Sequence, residues 1–211
     1  GVKEAHNILS VRGRVIPVVP KKLTLEAVHP DGTKTTGQDA ISKCEKEISM
    51  IKLNPPPGSV GREITEAIEA ADIIIYGPGS LFTSVIPNIV VNGVEEALAA
   101  SGAVRVYICN TMTQKGETSG FSVLDHVRAI ERHVGKKIVD AVLVNTGQIP
   151  DDQKSRYTAL GSEPVLHKDV EALEKQGYRT ILADVADTSE FIHHNPKKLS
   201  RALFEILKNG S

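Results

Sequence analysis

Asp72-Ile73-Ile74-Ile75-Tyr76-Gly77-Pro78-Gly79-Ser80-Leu81-Phe82-Thr83-Ser84 decides how this chain folds. Ile73 to Tyr76 is a short, continuous apolar run of the kind that forms a strand buried on both faces. It runs straight into Gly77-Pro78-Gly79, and the hydroxyl residues Thr83 and Ser84 follow where a helix should begin. In an open α/β sheet, ligands bind outside the carboxyl ends of the strands. Glycines there admit a close backbone approach, and a helix N-terminus adds unpaired N–H groups and a positive dipole end. Gly77, Pro78, Gly79, Ser80, Thr83 and Ser84 are therefore candidates for seating a phosphate or another anion. A tight strand-to-helix turn that binds nothing fits the segment equally well.

Outward from this segment the pattern repeats. Val104–Cys109 and Val139–Asn145 are further apolar runs, and Thr180–Asp184 is a fourth. Helical spacing marks Ser59–Ala71, a helix that includes Val94–Ala100, then Ser122–Val134, Lys168–Gln176 and Pro196–Lys208, the last with Asn195 placed to cap it. Such alternation predicts an α/β fold with a mainly parallel sheet covered by helices on both faces. Before it, Leu23–Val28 and Thr33–Thr36 flank Pro30-Asp31-Gly32, the signature of a β-hairpin inserted near residues 23–37. Arg14–Val19, interrupted by Pro17, reads as a short edge strand, and Ile48–Leu53 as another strand. Thr146–Glu163 reads as a polar, mobile stretch.

Composition narrows the function. The chain has 211 residues, 40% of them apolar, and a net charge of −1. This suits one domain with a continuous core and argues against a dedicated nucleic-acid binder, which is usually basic. No apolar run approaches the ~20 residues of a membrane span, and no signal-peptide pattern opens the chain. Cys44 and Cys109 lack metal-ligand spacing, and a reducing cytoplasm is the expected compartment. Cys109, at a strand end, reads as a packed thiol. The chain opens at Gly1, and Val2–Leu9 looks like the end of a helix already under way.

Three predicted strands end in polar clusters that should share one rim. They are Gly77–Ser80, then Asn110-Thr111-Met112-Thr113-Gln114, then Asn145-Thr146-Gly147. Asn110, Thr111, Thr113, Gln114 and Asn145 offer donors and acceptors for hydroxyls, amides or phosphates. Each Asn alone could equally cap its own strand. Tyr157, in a polar loop, could stack on a base or anchor that loop. His193 and His194 could face a ligand, but no carboxylate sits at metal spacing, so no metal site is expected. Asp125, His126 and His133 read as solvated helix surface. No hydrolase triad, Walker lysine or His-Glu-x-x-His motif is present.

Gly77 to Asn88 and Cys109 to Phe121, the latter followed by Asp125-His126, resemble the signatures of the gluconeogenesis-factor family. That family shares the CofD-like superfamily with 2-phospho-L-lactate transferase. Ser10 to Val15, Asn145 and Pro164 to His167 extend the likeness over essentially the whole chain. The resemblance implies a Rossmann-like domain over residues 1–211 and a cytoplasmic bacterial protein. Its ligand would be a UDP-sugar such as UDP-N-acetylglucosamine, and it would be needed for gluconeogenic growth and normal cell shape. It also implies a missing N-terminal strand and Gly-Gly-Gly-Thr-Gly loop, so that the chain looks like the C-terminal two-thirds of such a protein. An incomplete sheet would expose apolar surface for a second copy to cover, which makes a homo-oligomer an expectation. The alternative is a phospho-transferase using Mg²⁺. Two departures matter. His193-His194-Asn195-Pro196 stands where relatives often carry Arg-His-Asp-Pro, so His193 replaces a permanent charge. Transferase relatives have a Gly-Pro-Ser-Asn type of segment in place of Gly77-Pro78-Gly79-Ser80, which disfavours the transferase activity.

Overall fold

The computed structural model describes residues 13–208. Its centre is a four-stranded parallel sheet of β4 (Ile73–Tyr76), β5 (Val104–Ile108), β6 (Ala141–Asn145) and β7 (Arg179–Ala183), in that spatial order. Tyr76 pairs with Tyr107, and Val142 with both Tyr107 and Thr180, so the strands end along one rim.

Helices cover both faces, as the alternation predicts. On one face Tyr107, Val142 and Val144 pack with Val123, Val127 and Ile130 of α5 (Val123–Val134) and Leu173 of α7 (Val170–Lys175). On the other, Val106, Ala141 and Leu143 meet Ala202 and Ile206 of α8 (Pro196–Lys208). The α5 ends are well specified. Ser122 and Asp125 form a reciprocal N-terminal box, and Gly135 closes the helix at φ 70°. Asn195 Oδ1 accepts from the amides of Lys197 and Lys198 and caps α8.

The inserted hairpin is present as β1 (Thr24–Val28) and β2 (Lys34–Thr36). β3 (Met50–Asn54) joins it antiparallel, giving a separate three-stranded sheet ordered β2-β1-β3. Helix α1 (Gln38–Lys43) precedes β3, and α2 (Arg62–Glu69) is a shorter form of the helix expected over 59–71.

Several expectations are corrected. Arg14–Val19 forms no strand. Pro17 lacks the N–H a ladder needs, and Val18 and Val19 instead pack against the core. The stretch 146–163 contains α6 (Asp151–Ala159), started by Pro150 and two acidic residues. This helix buries none of its own residues, so it carries no apolar stripe to read. His126 is fully buried, its ring lying between Tyr107 and Phe121, and His133 is half-buried with Nε2 accepting from the Ile51 amide. A two-residue pair, β8 (Ala186–Asp187) with β9 (His193–His194), stands where a loop was expected. The proposed helix over Val2–Leu9 lies outside the described residues.

Candidate functional site

A cavity of about 470 Å³ opens at the carboxyl ends of β4 and β5, within the range of ordinary small-molecule sites. Pro78, Gly79 and Ser80 form one wall, and Asn110 to Gln114 the second. Tyr157, Ser162 and the segment Ile192–His194 close the third. The strand-end reading thus brings together Pro78, Gly79, Ser80, Asn110, Thr111, Thr113, Gln114, Tyr157 and His193. His194, read with His193 as able to face a ligand, joins them, as do Met112, Ser162 and Ile192, which were not singled out as site residues. For His194 the adjacent His193 was the available signal; for Ser162 there was none.

Gly77 shapes the turn without lining the cavity. Its φ of 93° favours glycine, and a Cβ there would lie 3.4 Å from the Ile108 carbonyl. A Cβ on Gly79 would meet the Cβ of Ser84 at 3.2 Å, so Ser84 acts by packing under the turn.

The helix N-terminus expected to seat an anion already faces a carboxyl group of the chain itself. A π-helical turn, Leu81–Val85, follows Ser80 and leads into α3 (Ile86–Ile89). Its Thr83 hydroxyl donates to Glu117 Oε1 at 3.1 Å, as does Ser42 Oγ at 3.2 Å. The amides of Phe82 and Thr83 face the same carboxylate. Glu117 is 3% exposed with its Oε2 buried and unpartnered, and burial raises its pKa while the hydroxyl donors pull it back. The Thr83 hydroxyl is therefore committed inward, to Glu117.

Glu117 lies on the turn that supplies the cavity's second wall. Its amide and that of Thr118 both donate to the Gln114 carbonyl. Gln114 Nε2 donates to Ser80 Oγ at 2.8 Å, and Asn110 Nδ2 reaches Gln114 Oε1 at 3.5 Å. The residues 114–117 thus grip the segment after β4 twice, at Ser80 and at Thr83. Asn110 Oδ1 is buried without a partner, so this carboxamide has unused hydrogen-bonding capacity at the cavity wall. Thr113 is spent on structure: its Oγ1 accepts from the Glu163 amide at 2.9 Å.

Asn145 serves the fold. Its Oδ1 accepts from the amides of Gly147, Val185 and Ala186. It lines a neighbouring hollow of about 330 Å³ that shares Thr111 with the main cavity. No lysine or arginine lines the main cavity among the described residues. His194 is held below the usual imidazole range by burial, against the opposing pull of its Nε2–H donating to the Cys109 carbonyl at 3.2 Å. His193 is exposed and donates through Nδ1 to the Phe191 carbonyl. Hydroxyl, amide and imidazole groups thus supply the polar lining of the site. Among the described residues no three His, Cys, Asp or Glu side chains gather to hold a metal ion, and no helix is long and apolar enough to cross a membrane.

The sequence that folds into this parallel sheet is that of a known family. The profile described as 2-phospho-L-lactate transferase CofD matches residues 1–186, and the chain belongs to that family. Within it, the chain is 42% identical over 207 residues to the gluconeogenesis factor of Halalkalibacterium halodurans, covering 97% of this chain and 64% of that protein. It is 36% identical over 208 residues to the gluconeogenesis factor of Bacillus subtilis, covering 98% of this chain and 65% of that one. A crystal structure of a member of the UPF0052 family from Bacillus halodurans superposes with a TM-score of 0.89 at 41% identity, covering 96% of this chain and 64% of that one. The chain therefore spans slightly less than two-thirds of the length of these relatives.

Proposed function

We propose that this chain carries the ligand-binding part of a nucleotide-sugar-binding regulatory protein of the gluconeogenesis-factor type. The ligand is a UDP-sugar such as UDP-N-acetylglucosamine. The regulated outcome is growth and cell shape on gluconeogenic carbon sources. The observation that carries the reading is the Asn110 carboxamide, under-committed in a cavity whose polar groups are hydroxyls, amides and imidazoles set among Pro78, Met112 and Ile192. Such walls suit a polyhydroxylated, amide-bearing ligand better than a bare phosphate. The similarity to proteins named gluconeogenesis factor supports the biological role.

A second reading follows from the family description, a transferase moving a phosphorylated small acid with Mg²⁺. No step of that reaction is assigned to this chain. Titration calorimetry with UDP-N-acetylglucosamine separates the two. Saturable heat is expected, weakened about 2- to 12-fold by Asn110→Ala, the value of one neutral hydrogen bond. No saturation, together with release of nucleoside monophosphate when a nucleotide-activated phospholactate donor, a hydroxyl-bearing acceptor and Mg²⁺ are added, overturns the binding-protein reading.

A further inference from the structure

The wall of the cavity that carries Ile192, His193 and His194 is a strap with two differently held ends. Its root is fastened to the sheet. Asn145 Oδ1 takes the amides of Val185 and Ala186, and the Asn195 amide donates to the Val185 carbonyl at 2.7 Å. Asn195 Nδ2 bonds Asp187 Oδ2 at 3.0 Å, and Lys198 Nζ reaches the Ala186 carbonyl at 3.0 Å. The two strands pair only at Ala186–His194 and Asp187–His193. Beyond that pairing lies the tip, 188–192, where Ser189, Glu190 and Phe191 are exposed.

Among the described residues, the side-chain hydrogen bonds that reach this tip from outside the strap come from α6 alone. Gln153 Nε2 donates to the Thr188 carbonyl. The Ile192 amide donates to Tyr157 Oη at 3.0 Å. Gln153 and Tyr157 are four residues apart, so they project from one face of the helix. One grips the start of the tip and the other its end. Because α6 buries none of its own residues, the helix and the strap brace one another.

We propose that Gln153 is a positioning residue for the ligand site. With the Tyr157 hydroxyl it forms a clasp that sets where Ile192 and His193 stand against the ligand. Gln153 does not line the cavity; it acts through Thr188. The hydroxyl of Tyr157 holds the strap whether or not the ring also faces the ligand. The clasp gives α6 a function that its lack of a buried face leaves unexplained. The affinity arm of the test rests on the nucleotide-sugar reading, and the exchange arm stands without it.

Three variants test the clasp: Gln153→Ala, Gln153→Glu, which keeps shape but has no donor for Thr188, and Tyr157→Phe, which keeps the ring. Amide hydrogen exchange across 188–193 should accelerate about 2- to 12-fold in each, the value of one hydrogen bond. UDP-N-acetylglucosamine affinity should fall by a similar factor through faster dissociation, with melting temperatures near that of the parent. Unchanged exchange in Gln153→Glu and Tyr157→Phe overturns the clasp. Faster exchange with unchanged affinity overturns the positioning role. If the parent chain shows no saturable binding, the nucleotide-sugar reading fails, and the exchange result still decides the clasp.

Discussion

Replacing Glu117 by alanine should unfasten the turn between β4 and α3 from the loop beneath it. The carboxylate takes the Thr83 hydroxyl at 3.1 Å and the Ser42 hydroxyl at 3.2 Å, and faces two amides. Ser42 is exposed and can return to water, but Thr83 is 8% exposed and cannot do so freely. A buried donor left without a partner costs about 1–3 kcal/mol. Counting the Thr83 hydroxyl and one amide, and setting the relief of a buried charge against them, gives a loss of about 2–3 kcal/mol. In a chain of this length that lowers the melting temperature by about 4–12 °C. Glu117→Gln should cost less, about 1–2 kcal/mol, because its carbonyl still accepts from both hydroxyls while its NH₂ opposes the amides. The pH dependence has a definite sign. Burial raises the carboxyl pKa in the folded chain. Between the ordinary carboxylate value and the raised one, the folded state binds more proton than the unfolded state. Wild-type stability therefore falls as pH rises through that window. The advantage of wild type over Glu117→Gln should be greatest at the acid end and shrink toward neutral pH. Thermal melts of the three proteins across that range provide the assay. An alanine variant melting with wild type, or a gap that widens as pH rises, refutes the reasoning.

Two further outcomes are expected. Gly79→Ala should press on Ser84, since the added Cβ meets the Ser84 Cβ at 3.2 Å. Binding of UDP-N-acetylglucosamine should weaken, and the double variant Gly79→Ala/Ser84→Gly should recover it; a double variant no better than the single one by calorimetry would mean that the side chain obstructs the ligand directly. Native protein treated with iodoacetamide should gain one adduct by intact mass, at partly exposed Cys44. Cys109 is 1% exposed with its thiol pushed up by burial, and should label only on unfolding; equal labelling rates would contradict the burial.

The parallel sheet was legible because its strands are short apolar runs bounded by polar or glycine punctuation. Ile73–Tyr76 matches the observed strand residue for residue. Helix α5 was legible from its helical spacing. His126 was misread as surface, although Val123 and Ile130 on the same face are both buried. The stripe itself held that signal, and a titratable side chain masked it. Helix α6 and the β8–β9 pair escaped for the opposite reason. One buries nothing, and the other is two residues long, so neither imposes a period on the sequence. Within the site, strand-end logic located the rim but not the direction of each side chain. Asn145 and Thr83 turn away to hold backbone and carboxylate, and nothing local in the sequence announces that Glu117 would reach Thr83 from 34 residues away.

The order β4-β5-β6-β7 in space repeats their order along the chain. Each strand therefore docks on its predecessor through a local crossover, and the sheet can lengthen in the direction of synthesis without waiting for a distant partner. Contacts of short sequence separation favour fast assembly. The second face is different. Val106, Ala141 and Leu143 remain wet until Ala202 and Ile206 arrive on α8, the last described helix to be made. A ribosome that stalls between β7 and α8 would hold out these four strands with one bare apolar side, the species most prone to stick to its neighbours.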